Sequence, residues 1–167
     1  MRKTLLIITA LMLVVGFSNA QTYQFAETFY DNGMPKVIKT FKESKDKIEL
    51  VKRVSWYKNG QKREERTYKD GKLDGLLTNW YENGQKSSEK TYKDGNVDGL
   101  VTQWHENGKK MYEIAWKINE NPLTVKEAIN PSQKDGLETQ WYENGQKKVE
   151  ITYKDGKIDG LVTTWYE

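Results

Sequence analysis

The apolar and aromatic residues of this chain return at fixed distances from turn signals that contain glycine. Residues 67–84 read TYKDGKLDGLLTNWYENG, residues 91–108 read TYKDGNVDGLVTQWHENG, and residues 152–167 read TYKDGKIDGLVTTWYE. Asn-Gly or Asp-Gly between extended, aromatic-rich flanks is the strongest short signal for a β-hairpin. Two such turns in each copy leave strands of about eight or nine residues, so the pattern predicts hairpins along most of the chain.

The spacing of the tryptophans gives the length of one copy. Trp56, Trp80, Trp104, Trp141 and Trp165 are separated by 24, 24, 37 and 24 residues. Copies are predicted to start near 56, 80, 104 and 141, with a truncated copy at 165 and a degenerate copy near 29–55. The long interval holds a predicted insertion at 117–133, where Thr124 and Glu127 have capping-box spacing. Structural turns are predicted at Asn59-Gly60, Asn83-Gly84, Asn107-Gly108 and Asn144-Gly145.

These hairpins predict an all-β fold, an elongated and open-faced antiparallel meander of about eleven strands. A type I′ turn at Asn83-Gly84 places Thr78 opposite Glu89 and Trp80 opposite Ser87. A two-residue turn at Asp94-Gly95 then places Leu100 opposite Glu89 and Val101 opposite Ser88. The period is even, so equivalent side chains share one face. One face is predicted to carry Leu76, Trp80, Leu100, Trp104, Leu137, Trp141, Leu161 and Trp165; the other carries Tyr68, Tyr92, Trp116, Tyr153, Leu77, Val101 and Val162.

The first 20 residues have the anatomy of a secretory signal peptide. Arg2 and Lys3 precede an apolar run from Leu5 to Phe17, and Ser18-Asn19-Ala20 places small residues before a cleavage site near Ala20. The apolar run is shorter than a bilayer-spanning helix, although an uncleaved anchor is the alternative. We therefore expect residues 1–20 to be removed, residues 21–167 to form the repeat domain, and the protein to be periplasmic or extracellular.

The charge composition argues against a nucleic acid partner. The chain has 27 Lys and Arg against 24 Asp and Glu, and two of the basic residues lie in the predicted signal peptide. Basic and acidic residues are interspersed, which is not the footprint of a nucleic acid-binding protein. There is no cysteine, so no disulfide framework is expected. Charged residues make up 31% of the chain and hydrophobic residues 36%, which predicts a thin core.

No constellation of residues predicts catalysis. The single histidine, His105, stands where other copies have tyrosine, and an aromatic replacement is the favoured interpretation over a general base or metal ligand. Glutamates recur at Glu65, Glu89, Glu113 and Glu150, where cross-strand pairing with basic residues and threonines is favoured over calcium binding. We predict no enzyme activity, no cofactor and no metal.

The phrase DGLVTQWHENGKKMYEIAWK at residues 98–117 and its sister copies resemble the MORN repeat variant. In particular, they are similar to the YwqK family of antitoxins from toxin–antitoxin systems. The resemblance covers residues 29–167 and implies a protein-binding repeat scaffold, in one specific form antitoxin-like or immunity-like. The leader and the insertion depart from the family pattern.

Aromatic rows are the surfaces with most scope for recognition, because a thin sheet cannot bury all of them. The candidate binding residues are Trp56, Trp80, Trp104, Trp141, Trp165, Tyr68, Tyr92, Trp116 and Tyr153. The leading hypothesis is an exported, non-enzymatic scaffold for a protein partner. The alternative is a carbohydrate or cell-envelope binding module that uses these rings. Lysines after the turns leave a membrane surface open as a partner, and exposed edge strands allow association by strand pairing.

Overall fold

A computed structural model describes residues 21–44, 47–120 and 132–167. The predicted signal peptide lies outside the described residues. The part of the predicted insertion that contains Thr124 and Glu127 also lies outside them.

The described residues form twelve strands in a single antiparallel sheet. The strands are β1 (Gln21–Phe29), β2 (Pro35–Ser44), β3 (Lys47–Trp56), β4 (Lys62–Lys69), β5 (Lys72–Trp80), β6 (Lys86–Lys93), β7 (Asn96–Trp104), β8 (Lys110–Ile118), β9 (Ser132–Lys134), β10 (Gly136–Trp141), β11 (Lys147–Lys154) and β12 (Lys157–Thr164). Neighbours in sequence are neighbours in the sheet, except that β8 pairs with both β9 and β10. The predicted all-β meander is therefore confirmed.

The Asn-Gly end of each hairpin has a three-residue loop, so the predicted two-residue turn is wrong there. Tyr81 N donates to Gln85 O at 2.8 Å, and Gly84 N donates to Tyr81 O at 3.0 Å. Gly84 has φ 84°, whereas Asn83 is not among the residues with positive φ. This is a type I turn followed by a left-handed glycine, a common three-residue hairpin loop. The same loop occurs at Asn59-Gly60, Asn107-Gly108 and Asn144-Gly145.

The asparagine side chain explains why this loop is preferred over a type I′ turn. Asn83 Oδ1 accepts a hydrogen bond from Gln85 N at 2.9 Å. Its Nδ2 donates to Glu106 O at 2.8 Å, in the tip of the next copy. One amide side chain therefore closes its own loop and ties neighbouring copies together.

A one-residue bulge compensates for the longer loop. Trp80 opposes Lys86 and Asn79 opposes Ser88, which leaves Ser87 as the extra residue. The predicted pairing of Trp80 with Ser87 is therefore wrong. Beyond the bulge Thr78 opposes Glu89, as predicted. The equivalent extra residues are Arg63, Met111 and Lys148.

The two Asp-Gly pairs of each copy have different roles. Asp94 and Gly95 have φ 50° and 90°, the predicted type I′ geometry. The second pair, Asp98-Gly99, lies inside β7 and forms a bulge, because Tyr92 opposes Val97 but Lys90 opposes Val101. The predicted pairs of Val101 with Ser88 and of Leu100 with Glu89 are therefore wrong by two residues.

The described residues form no thick core, and their buried side chains lie in a row across the sheet from β2 to β10. Ile114 is 0% exposed, and Leu77 and Val101 are also buried. By strand alternation these three share one face, and the buried residues Thr78 and Thr102 lie on the other. Both faces thus contribute a thin buried stripe.

The insertion replaces one Asp-Gly turn. Strand β8 pairs with β10 at Glu113 and continues to pair with β9, where Lys117 opposes Gln133. Strands β9 and β10 therefore lie end to end beside β8 and together take the place of one strand, which is interrupted at Asp135. The sequence between Ile118 and Ser132 therefore stands in the chain where the other copies have an Asp-Gly turn.

Replacing Gly99 with alanine is expected to destabilise the sheet by about 1–3 kcal/mol. Gly99 has φ 124°, and an added Cβ would lie 3.1 Å from Thr91 Cβ. Urea unfolding of both forms measures the change. Asn96→Ala in the same strand is the control and is expected to stay within about 0.5 kcal/mol. Equal effects of the two substitutions would contradict the proposed strain.

Candidate functional site

The two faces of the sheet differ in how strictly their residues repeat. On one face the same residue type returns in each of four copies; we call it the repeated face. Its positions are Lys62, Lys86, Lys110 and Lys147; Glu65, Glu89, Glu113 and Glu150; Leu76, Leu100, Leu137 and Leu161; Thr78, Thr102, Thr139 and Thr163; and Trp80, Trp104, Trp141 and Trp165. Strict repetition of five positions indicates a structural requirement that every copy must meet.

Contacts between copies explain this repetition. Lys86 Nζ lies 5.7 Å from the ring centroid of Trp104 in the next copy. The same ammonium is 2.5 Å from Glu89 Oε2. The equivalent lysines lie 5.5–5.8 Å from the next tryptophan ring and 2.5–2.8 Å from the following glutamate. Each lysine therefore joins its own copy to the next.

The glutamates have the pairing that the sequence favours. Glu89 opposes Thr78 and accepts a hydrogen bond from its hydroxyl at 3.4 Å, in addition to the contact with Lys86. Glu113 accepts in the same way from Thr102 at 3.2 Å. Within the described residues no group of three or more His, Asp or Glu could hold a metal ion.

A second ladder runs along the hairpin tips. The hydroxyls of Tyr57, Tyr81 and Tyr142 donate to the carbonyl oxygens of Trp80, Trp104 and Trp165 at 2.8–2.9 Å. His105 occupies the equivalent position, with Nε2 3.4 Å from Trp141 O. The histidine thus takes the place of a tyrosine in the ladder, in agreement with the favoured interpretation.

The opposite face changes from copy to copy, and we call it the variable face. One position is Arg66, Lys90, Ile114 and Ile151 in successive copies; another is Glu64, Ser88, Tyr112 and Val149; the bulge position is Arg63, Ser87, Met111 and Lys148. A residue that stacking requires must recur, because every copy makes the same contact with its neighbour. The positions that vary are free of that constraint and are available for recognition. The aromatic position of this face recurs in every copy, as Tyr68, Tyr92, Trp116 and Tyr153.

The variable face carries an open groove of about 840 Å³ across β6, β7, β8, β10 and β11. Its lining includes Lys90, Tyr92, Val101, Met111, Tyr112 and Trp116. Gln103 and Gln140 add side-chain amides. The groove therefore combines aromatic and apolar walls with a few polar groups, the usual character of a binding site.

The structure brings together only some of the residues predicted for recognition. Tyr92 and Trp116 line the groove, and His105 lines it at the tip end. Trp141, whose ring lies beside Lys110 on the repeated face, borders the groove at the same tip end. Tyr68 and Tyr153 lie on the variable face outside the groove. The remaining tryptophans, Trp56, Trp80, Trp104 and Trp165, are not part of its lining.

Sequence reasoning missed Lys90, Met111 and Tyr112. The signal that could have found them is the comparison of copies position by position. Such a comparison marks the positions that vary within an otherwise constant repeat.

Lys90 is the unusual charge in the groove. The residue is half-buried, and its side chain makes no ion pair or hydrogen bond with any other residue in the part of the chain that the structure describes. The equivalent Arg66 lies 2.5 Å from Glu64. The groove thus contains a cation without an internal counter-ion.

A paired charge lies beside the groove in the copy with the insertion. Glu138 is 3% exposed, and Lys134 Nζ is 2.6 Å from its Oε2 and 4.6 Å from the Tyr153 ring centroid. Burial, and secondly the negative charge of Glu138, raises the pKa of Tyr112 above its ordinary value. Lys134 and Glu138 occupy the positions of Val97 and Val101 in the preceding copy. The two sides of the groove are therefore chemically different.

A single open sheet of coupled hairpin copies, with one repeated and one variable face, defines a β-hairpin repeat protein. The family model described as the MORN repeat variant matches residues 51–70, 73–94, 97–117 and 134–155. The match covers slightly more than half of the sequence, so the chain belongs to the MORN repeat variant family. Comparison with curated proteins and with solved structures gives no significant match. Across residues 21–44, 47–120 and 132–167, no helix is long and apolar enough to cross a membrane.

The pairing on the repeated face predicts a loss of stability in acid. Burial acts to raise the pKa of the Glu65 carboxyl, but hydrogen bonds and charge attraction from Lys52 and Lys62 outweigh burial and lower this pKa. Because the pKa of Glu65 is lower in the folded protein, this carboxylate adds stability at pH values above its unfolded pKa of about 4.3. That stability is lost as the pH falls through the pKa of the folded state.

Melting temperature measured between pH 7 and pH 2 tests this expectation. Glu65→Gln is expected to lower the melting temperature at pH 7 and to match the unmodified protein at the acid end. Glu82→Gln, at an exposed hairpin tip, serves as the control and should follow the unmodified protein throughout. A constant difference between the unmodified protein and Glu65→Gln at every pH would contradict the role of this ionised carboxylate.

Proposed function

We propose that this protein is an exported, non-enzymatic scaffold that binds another protein through the groove on its variable face. The observation that carries this proposal is the separation of roles between the faces. On the repeated face, the lysine and tryptophan side chains make contacts between neighbouring copies. The groove on the variable face holds aromatic, methionine and unpaired basic side chains instead.

The composition of the groove supports a protein partner. Tyrosine, tryptophan and methionine are enriched in the buried centres of protein interfaces, and a few such residues carry most of the binding energy. Such a cluster is formed on β6 and β8 by Tyr92, Met111, Tyr112 and Trp116. Membership in the MORN repeat variant family supports a scaffold that acts by protein or membrane interaction.

We also propose what kind of protein the partner is and in which compartment it is bound. The similarity of the repeat phrase to YwqK antitoxins supports an antitoxin-like or immunity-like role, in which the partner is a toxic protein. The leader at residues 1–20 supports export, so neutralisation would take place in the periplasm or outside the cell.

A membrane surface has less support than a protein. The lysines that follow the Asn-Gly turns form a strip that includes Lys109, Lys110, Lys147 and Lys148. In this strip, Lys110 and Lys147 lie over the rings of Trp141 and Trp165 and pair with glutamates. Lys109 donates to Asn144 O at 2.8 Å. The strip therefore has few lysines left for anionic lipid headgroups.

A carbohydrate remains the second candidate because of one feature of the groove. The rings of Tyr92 and Trp116 share it with the amides of Gln103 and Gln140. Flat rings and amides together suit the apolar faces and hydroxyls of sugars.

Photo-crosslinking from each face tests the binding proposal. A benzoylphenylalanine at Gln103 lies in the groove, whereas one at Leu100, which is 49% exposed, lies on the repeated face. In the native cell, the Gln103 probe is expected to give one discrete protein adduct, and the Leu100 probe is not. Adducts from Leu100 alone would assign binding to the exposed leucines. Retention on purified cell-wall glycan with no protein adduct would favour the carbohydrate.

Export is tested separately by intact-mass measurement of the protein recovered from its native cell. Cleavage after Ala20 predicts a chain that begins at Gln21, recovered outside the cytosol. Substituting Leu11→Arg in the apolar run should leave the uncleaved chain inside, because a charge interrupts the hydrophobic region. An uncleaved cytosolic chain from the unmodified gene would contradict export.

A further inference from the structure

Lys90 lies where the contacts between copies do not require a cation. The equivalent positions Ile114 and Ile151 are apolar, and Ile114 is the best buried side chain of the described residues. The sheet therefore accommodates an apolar residue here. A lysine at this position needs an explanation other than stacking.

The comparison with Arg66 shows that the counter-ion is missing one copy later. Arg66 is paired at 2.5 Å with Glu64, two residues before it on the same face. Two residues before Lys90 the chain has Ser88 instead. The chain thus keeps the cation and omits the carboxylate.

Among the described residues, the nearest neighbours of Lys90 in the sheet carry no carboxylate. Leu77 and Val101 oppose it on the flanking strands, and Tyr92 and Ser88 are its neighbours on the same face of β6. The Lys90 Nζ atom reaches solvent, since it is not among the buried side-chain atoms that lack a hydrogen-bond partner. A carboxylate from outside can therefore reach this ammonium and form a charge-assisted hydrogen bond with it.

The other ionisable groups of the groove lie toward the hairpin tips. Glu143 is the one carboxylate among the described residues of the lining, and Lys148 and His105 lie at the same end. Lys148 Nζ is 5.4 Å from the Tyr142 ring centroid. With Lys90 and Lys148 against Glu143, the lining has an excess of positive charge, which complements an acidic partner.

Aromatic walls begin directly beside Lys90. Tyr92 is two residues further along β6 on the same face, about 7 Å away. Trp116 is on β8, opposite Gly99 of the intervening strand, and lines the same groove. An extended segment bound along the groove presents alternate side chains to it at about the same spacing.

We propose that the groove recognises an extended acidic segment of a protein partner. One carboxylate of this segment binds the Lys90 ammonium, and an apolar or aromatic side chain two residues away packs against Tyr92 and Trp116. This inference rests on the proposed protein-binding function and names the chemistry of the partner.

Two matched peptides test the proposal against the purified protein. The acidic probe is acetyl-Gly-Glu-Gly-Phe-Gly-amide, and the neutral probe has Gln in place of Glu. Binding is followed by shifts of backbone amide and tryptophan indole NMR signals. The acidic probe is expected to perturb Lys90, Tyr92 and Trp116 and to bind about tenfold more tightly than the neutral probe. The preference should shrink in high salt.

Variants assign the preference to one side chain. Lys90→Met, which preserves the length of the side chain, is expected to bind both peptides equally. Lys69→Met removes the same charge at an exposed position outside the groove and should keep the preference. Lys90→Arg should also keep it, and it serves as the informative variant if Lys90→Met does not fold.

The outcomes of these experiments distinguish an error about the acidic segment from an error about protein binding by the groove. Equal binding of both peptides to the unmodified protein, or a preference that survives Lys90→Met, would overturn the role of Lys90. No peptide binding together with a discrete adduct from Gln103 would overturn the acidic segment while leaving protein binding intact. Binding of an acidic oligosaccharide such as oligogalacturonate, with neither peptide bound, would overturn the inference in favour of the carbohydrate.

Discussion

The contact on which the structure depends is the lysine that joins one copy of the repeat to the next. Its ammonium lies over the tryptophan ring of the following copy and pairs with a glutamate of its own copy, as Lys86 does with Trp104 and Glu89. A thin sheet cannot obtain its stability from a deep core, so it uses many equal contacts between neighbours. The tyrosine and asparagine ladders at the tips add hydrogen bonds between the same neighbours.

The two faces of the sheet therefore have different roles: the repeated face holds the copies together, and the variable face carries the groove. Because every copy must present the same lysine, glutamate and tryptophan, the repeated face has little freedom to evolve a partner-specific surface. On the variable face, a position can differ in one copy without a matching change in the others. In the central copies, Lys90, Tyr112 and Trp116 line one groove. A regular array thus acquires an individual site without loss of the contacts that hold it together.

Much of the fold could be predicted from the sequence, because the period and the turn residues are local signals. The pairing of Thr78 with Glu89 follows from them. The loop at Asn83-Gly84 could not be predicted, because the same dipeptide fits two turn types and the choice depends on a bond to the next copy. The bulge at Asp98-Gly99 could not be predicted either, because Asp-Gly is also the sequence of the type I′ turn at Asp94-Gly95. The site was predicted only in part: its rings are visible in the sequence, whereas an unpaired Lys90 is recognised only once its neighbours are known.

A double-mutant cycle on Lys86 and Trp104 tests most directly whether copies are held together by this contact. Lys86→Met, Trp104→Leu and the double variant are compared by urea unfolding. If the contact holds the copies together, the coupling free energy between the two side chains is favourable by about 0.5–1 kcal/mol. Strictly additive losses, with a coupling indistinguishable from zero, would contradict it.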